Sequence, residues 1–151
     1  MKINFIENAA GSGLFTGYIP VASGTFASLA ALLIYLIPGF ENFFVIIPAI
    51  VISILFGIKI GDKFEVKFGK DPSEYTLDEF IGMWIALIGA PKSLVVLVIA
   101  FVIWRVLDII KPSPAREAEQ IKGGKGVIAD DIISGIYTLI IMHILYKFIQ
   151  F

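Results

Sequence analysis

The chain has 151 residues, 58% of them hydrophobic and 17% charged, with a net charge of −1 and a mean hydropathy of +0.89. That length gives one domain, and the composition is too apolar and too poor in charge for a soluble domain of this size. No bulk basic field is present to draw nucleic acid, and the lack of cysteine removes disulfides, cysteine zinc sites and cysteine nucleophiles.

Near the start, Glu7, Asn8 and the glycines at 11 and 13 interrupt any apolar run, so no cleaved signal peptide is expected. Five apolar segments follow in chain order. Residues 25–37 form the first, stopped by Pro38-Gly39, and residues 43–60 the second, where Pro48 is placed to kink it. Residues 79–88 form the third, closed by Gly89-Ala90-Pro91; the fourth covers 93–110 and the fifth 131–151. A spanning helix needs about 20 residues. The first and third fall short, so they carry buried polar extensions or insert only in part. The expected fold class is all-α, an integral membrane bundle of four to five transmembrane or partly inserted helices, with residues 1–151 as a single membrane-embedded domain.

Charge orients this bundle. The linker 62–78 holds Lys63, Lys67 and Lys70, and the linker 111–130 holds Lys111, Arg116, Lys122 and Lys125; of the two opposite turns only the second carries a basic residue, Lys92. The positive-inside rule places both linkers in the cytoplasm. Five crossings then leave the N-terminus inside and the C-terminus outside, a parity that changes if a short segment does not cross. In this arrangement Thr25, Asp78, Glu79, Asp108, Asp130 and Asp131 share one depth at the cytoplasmic boundary. Charges at membrane depth face a protein interior or a water-filled cavity and pair with something. For five carboxylates the simplest partner is a divalent cation, and oxygen-only ligands favour Mg²⁺, Mn²⁺ or Ca²⁺.

Each motif has a plain reading and a chemical one. In "DEFIGMW" the carboxylates Asp78 and Glu79 open a helix, where they either cap it or ligate. In "WRVLDIIKPSP" Arg105 and Asp108 are spaced i, i+3, either an intrahelical ion pair or an arginine held ready for bidentate phosphate contact, with Lys111 adding a point charge. "GGKGVIADD" is either a mobile loop or a glycine-rich turn whose backbone N–H groups, Gly124 among them, cradle phosphate ahead of Asp130 and Asp131. Thr25 and Ser28, behind Gly24, either cap the first segment or offer hydroxyls to phosphate. Lys59, Lys63, Lys67 and Lys70 make a stripe that anchors at, or attracts, anionic headgroups. His143, the one histidine, reads as buried and structural. Together these residues offer oxygen ligands for a divalent cation beside Arg and Lys for a phosphate, at headgroup depth. That inventory fits metal-assisted phosphoryl chemistry on a membrane phospholipid.

The stretches "GYIPVASGTFASLAA", "TLDEFIGMW", "RVLDIIKPSPA" and "GGKGVIADDIISG", in this order over residues 17–135, resemble the phosphatidylglycerophosphatase A family. Ser23, Ala27, Thr76 and Leu77 depart from the commoner family residues, at positions that concern helix entry and packing. The resemblance implies a multi-pass inner-membrane phosphatase with its site facing the cytoplasm. It would remove the terminal phosphate of phosphatidylglycerophosphate, an anionic phospholipid, to give phosphatidylglycerol, with Mg²⁺ required. By motif position Asp78, Glu79, Asp130 and Asp131 are the metal or acid–base set, Arg105 and Lys111 hold the phosphate, and Asp108 orients Arg105 or ligates the metal. Water and a carboxylate both remain open as the nucleophile. The rival reading is a small transporter with a carboxylate-lined cation site; it would need charges through the middle of the bilayer, whereas these cluster at one face.

Overall fold

A computed structural model describes residues 2–148, and among these every regular element is helical. α1 (Phe5–Gly11) opens on a capping box: the Asn4 side chain accepts the Glu7 N–H at 2.8 Å, and the Glu7 carboxylate accepts the Asn4 N–H at 3.1 Å. Apolar periodicity does not predict this helix; its local signal is the Asn-x-x-Glu spacing. A single 3₁₀ turn (Thr16–Tyr18) leads to α2 (Ser23–Tyr35). The remaining helices are α3 (Phe43–Phe68), α4 (Leu77–Ala86), α5 (Leu94–Ile110), the short α6 (Ala115–Ala118) and α7 (Gly124–Phe148).

Among the described residues α3 and α7 are the two helices long and apolar enough to cross a membrane. α3 has 26 residues, about 39 Å at 1.5 Å per residue. It runs through Pro48, which withholds one donor from the Phe44 carbonyl near the helix start and does not break it. It also continues past residue 60, so Lys63 and Lys67 are helical. Phe43, Phe44, Ile52, Leu55 and Phe56 of α3 stand exposed, an outward apolar face that water would penalise and lipid accepts. The chain is a membrane protein. Of the expected four to five transmembrane or partly inserted helices, these two have the full spanning length; α2 has 13 residues, α4 has 10 and α5 has 17.

α4 shows the opposite pattern to α3. Its 10 residues span about 15 Å, and all except Glu79 are buried, packed among α2, α3, α5 and α7. Glycine permits the closeness. A Cβ on Gly82 would lie 2.0 Å from the Trp104 ring, and one on Gly135 would lie 2.7 Å from the Gly82 carbonyl oxygen. The third apolar segment is therefore short because it is a helix enclosed in protein, where length need not match the bilayer.

The largest departure from expectation is the start of α7. The glycine-rich stretch is not a loop feeding a helix at residue 131: α7 begins at Gly124. The reason lies in α3. Asp62 Oδ1 accepts the Gly124 N–H at 2.8 Å and Glu65 Oε2 accepts the Gly123 N–H at 3.1 Å, so two carboxylates from another helix satisfy donors at this helix start. A Cβ on Gly124 would fall 2.2 Å from the Ile58 carbonyl oxygen. Gly124→Ala is thus expected to overpack the α3–α7 contact and cost about 1–3 kcal/mol, read as a lower thermal midpoint in detergent. An unchanged midpoint would remove Gly124 from this packing role. The expected tail of the fifth segment, residues 149–151, lies outside the described residues.

Candidate active site

α4, α5 and α7 each deliver carboxylates to one cavity of about 320 Å³. Asp78 and Glu79 come from the first turn of α4, Asp108 from the end of α5, and Asp130 and Asp131 from two turns inside α7. Asp71, on the α3–α4 connection, and Lys111 complete the charged lining. Lys111 terminates α5 in the left-handed conformation (φ 49°), which ends the helix ahead of Pro112. Gly24 of α2 also lines the cavity, and a Cβ there would sit 2.1 Å from Glu79 Oε1. Only glycine lets α2 approach that carboxylate so closely.

Two cations meet this acidic set. Arg105 Nη1 donates to Glu79 Oε2 at 2.6 Å and to Asp108 Oδ2 at 2.7 Å. Trp104, fully buried, donates its indole N–H to Ser28 Oγ at 3.0 Å, and Ser28 Oγ lies 3.0 Å from Glu79 Oε2. The chain Trp104–Ser28–Glu79–Arg105–Asp108 therefore ties α5, α2 and α4 together through polar groups. Lys111 Nζ donates to Asp130 Oδ2 at 2.6 Å and pairs with Glu119 at 2.9 Å. Burial pulls the Lys111 pKa down, but the hydrogen bonds it donates to Asp130 and Glu119 outweigh this and hold the pKa above its usual value. Burial pushes the Asp71 carboxyl above the usual carboxylate range, and the nearby Lys111 charge only partly opposes this.

Asp131 is left over. It is 3% exposed, and its Oδ2 and the Oδ1 of Asp130 are buried without a hydrogen-bond partner. A buried carboxylate oxygen left without a hydrogen bond carries a desolvation penalty, so these atoms point to a ligand. One oxygen each from Glu79, Asp108 and Asp131 lie within 4.8 Å of one another. Oxygens around one Mg²⁺ or Ca²⁺, at metal–oxygen distances of about 2.0–2.6 Å, are separated by up to about 4–5 Å. The donor set fits a divalent cation. Glu79 and Asp108 each keep a second oxygen, so pairing Arg105 and ligating a cation are compatible.

The structure thus brings together Asp78, Glu79, Asp108, Asp130, Asp131, Arg105, Lys111 and Ser28. It does not bring in Thr25 or Gly124. Thr25 stands in the first turn of α2 outside the cavity lining, and Gly124 is committed to α3. Neither Thr25 nor Ser28 caps α2, whose cap position is Ala22 with no side-chain bond. His143 is exposed rather than buried, with Nδ1 2.9 Å from the Leu139 carbonyl of its own helix. Sequence reasoning missed Trp104, Asp71 and Glu119; the indole sits next to Arg105 in the chain, but nothing local shows that it reaches across to α2.

Comparison with known proteins follows from this geometry. The chain is 32% identical over 149 residues to a Bacteroides thetaiotaomicron protein named "Putative phosphatidylinositol-3-phosphatase", covering 93% of this chain and 94% of that one. It is 33% identical over 134 residues to phosphatidylglycerophosphatase A of Escherichia coli, covering 87% and 78% of the two chains. With the Haemophilus influenzae enzyme of the same name the identity is 31% over 137 residues, covering 86% and 82%. No solved structure gives a significant match. The family model described as phosphatidylglycerophosphatase A matches residues 9–146, which takes in every carboxylate and both cations of the cavity, and the chain belongs to that family of phosphatases.

Proposed function

We propose that this protein is a Mg²⁺-dependent phosphatase that hydrolyses phosphatidylglycerophosphate to phosphatidylglycerol and inorganic phosphate in phospholipid biosynthesis. It would act as a single multi-pass domain of the inner membrane, with its cavity open to the cytoplasm. The observation that carries the reading is the coincidence of Glu79, Asp108 and Asp131 as an oxygen triad with Arg105 and Lys111 beside it. The basic residues Arg116, Lys122 and Lys125, between Lys111 and Asp130 in the chain, support the cytoplasmic side.

The residues divide the work by their contacts. Arg105 is partly buried and clamped between Glu79 and Asp108, so its guanidinium is held before substrate arrives. Lys111 lines the cavity and can turn from Asp130 to a phosphoryl oxygen, since an ammonium keeps three donors. Glu79, Asp108 and Asp131 would hold Mg²⁺, with Asp78 and Asp130 alongside. When bound, the ion supplies charge neutralisation for the phosphoryl oxygens. Asp78 Oδ1 accepts the Glu79 N–H at 2.9 Å, which fixes its carboxylate at the head of α4. Cleavage of the ester P–O bond with consumption of one water leaves the lipid alcohol, which takes up a proton, and inorganic phosphate.

Two of the named relatives act on different headgroups, and both headgroups are phosphomonoesters. The test is phosphate release by purified protein from phosphatidylglycerophosphate and from phosphatidylinositol 3-phosphate in parallel, with Mg²⁺ and with excess EDTA. Metal-dependent release that favours phosphatidylglycerophosphate is expected. Release favouring the phosphoinositide would change the substrate, and no release from folded protein with any divalent metal would return the cation-transport reading.

A further inference from the structure

A second cavity, of about 570 Å³, lies between α1 and α3 on the outside of the bundle and is walled mainly by apolar atoms. Its α3 wall is one helical face, Ile52, Phe56, Lys59 and Lys63, spaced i, i+4, i+7 and i+11. The face changes character along its length. Residues 43–58 carry no ionisable group, so Lys59 is the first charge above the hydrocarbon stretch, with Lys63 one turn further. Ile6 and Ala10 of α1 form the opposite wall. Glu7 of α1 pairs with Lys63, but Lys59 is exposed and meets no carboxylate among the described residues.

We infer that this groove binds one anionic phospholipid that is not the substrate, its acyl chain against Ile52 and Phe56 and its phosphate on Lys59. Charge complementarity selects the ligand. The groove is apolar where α3 is in hydrocarbon and cationic where headgroups begin, the order of polarity in a lipid itself. A basic residue there favours an anionic over a zwitterionic headgroup. The volume falls within the range of sites that enclose ligands. Leu77 closes the groove on the side of the catalytic cavity, which the neighbouring Thr76 and Asp78 line. The two sites are therefore separate, one for a phosphomonoester and one for a resident lipid. Glu7 completes the upper rim, so a bound lipid also holds α1 against α3. This inference rests on α3 crossing the membrane and not on the phosphatase reading.

The experiment is native mass spectrometry of the detergent-solubilised full chain, titrated with dioleoylphosphatidylserine and with dioleoylphosphatidylcholine. Neither lipid carries a phosphomonoester. One phosphatidylserine is expected to bind more tightly than phosphatidylcholine. Lys59→Gln should weaken it about fivefold, the weight of one basic residue at a lipid surface, while Lys59→Arg keeps it and Asp131→Asn leaves it unchanged. Equal affinity for the two lipids, or Lys59→Gln binding as the parent does, overturns the site. Loss of the lipid in Asp131→Asn would overturn it differently, by placing the lipid in the catalytic cavity.

Discussion

Asp131→Asn is expected to lower phosphate release by about two to three orders of magnitude while leaving the bundle folded, and even more heat-resistant when metal is absent. The two halves of this result have one cause. Asp131 is buried, makes no direct ion pair among the described residues, and shares its cavity with Asp78, Glu79, Asp108 and Asp130. Without metal its charge is repelled by those neighbours, so neutralising it by an isosteric amide relieves the fold. With metal, the same charge is one of three that converge within 4.8 Å. Thermal midpoints of both proteins, taken with EDTA and then with Mg²⁺, check it. The parent should gain stability on adding Mg²⁺ and Asp131→Asn should gain little. Equal gains in both proteins, or near-normal turnover in the variant, would take Asp131 out of the metal set.

Arg105→Gln should fail in a different way, losing stability as well as activity. Arg105 is the only cation touching Glu79 and Asp108 among the described residues, and both bonds are short. Removing one partner of a buried ion pair strands the other, which costs about 3–5 kcal/mol. Here two carboxylates are stranded, and Ser28 loses a neighbour at 3.4 Å. The expected outcome is poor recovery of folded protein at ordinary temperature. Arg105→Lys separates fold from function: one ammonium can still reach a carboxylate but cannot reproduce the planar fork. It should restore folding while turnover stays low. Full activity in Arg105→Lys would show that only the positive charge at this position matters.

The all-helical class and the five apolar segments were legible because apolar runs bounded by Pro38-Gly39 and Gly89-Ala90-Pro91 report directly on burial in lipid or protein. The convergence of Asp78, Glu79, Asp108, Asp130 and Asp131 on one cavity was legible too, since the alternation that the apolar segments lead one to expect returns their charged ends to one side. The start of α7 was not. Its donors are satisfied by Asp62 and Glu65, about 60 positions earlier in the chain, and no local pattern records a cap supplied by another helix. The same holds for Trp104, whose role depends on Ser28 lying across an interface 76 residues away. Which segments cross was not legible, because hydrophobicity measures what a segment buries, not whether lipid or protein buries it; α4 is apolar for the second reason.

That enclosure of α4 bears on how the molecule is made. A ten-residue helix headed by Asp78 and Glu79 is about half the length a bilayer demands, and an aspartate at the centre of a lone helix carries about 2.5–3.5 kcal/mol against insertion. During synthesis α4 emerges long before α7, which supplies the Gly135 contact and one wall of its niche. The nascent segment is expected to wait at the water interface and slide inward only after the last helix has arrived. Ribosome-tethered chains ending before Gly124 should then be cut by added protease near Glu79, and chains extended beyond Phe148 should resist. Early protection would mean that α2, α3 and α5 suffice to shelter it. On the expected order, the acidic centre is the final part of the protein to become enclosed, and a chain that stalls early displays the carboxylates of Asp78 and Glu79 to quality control.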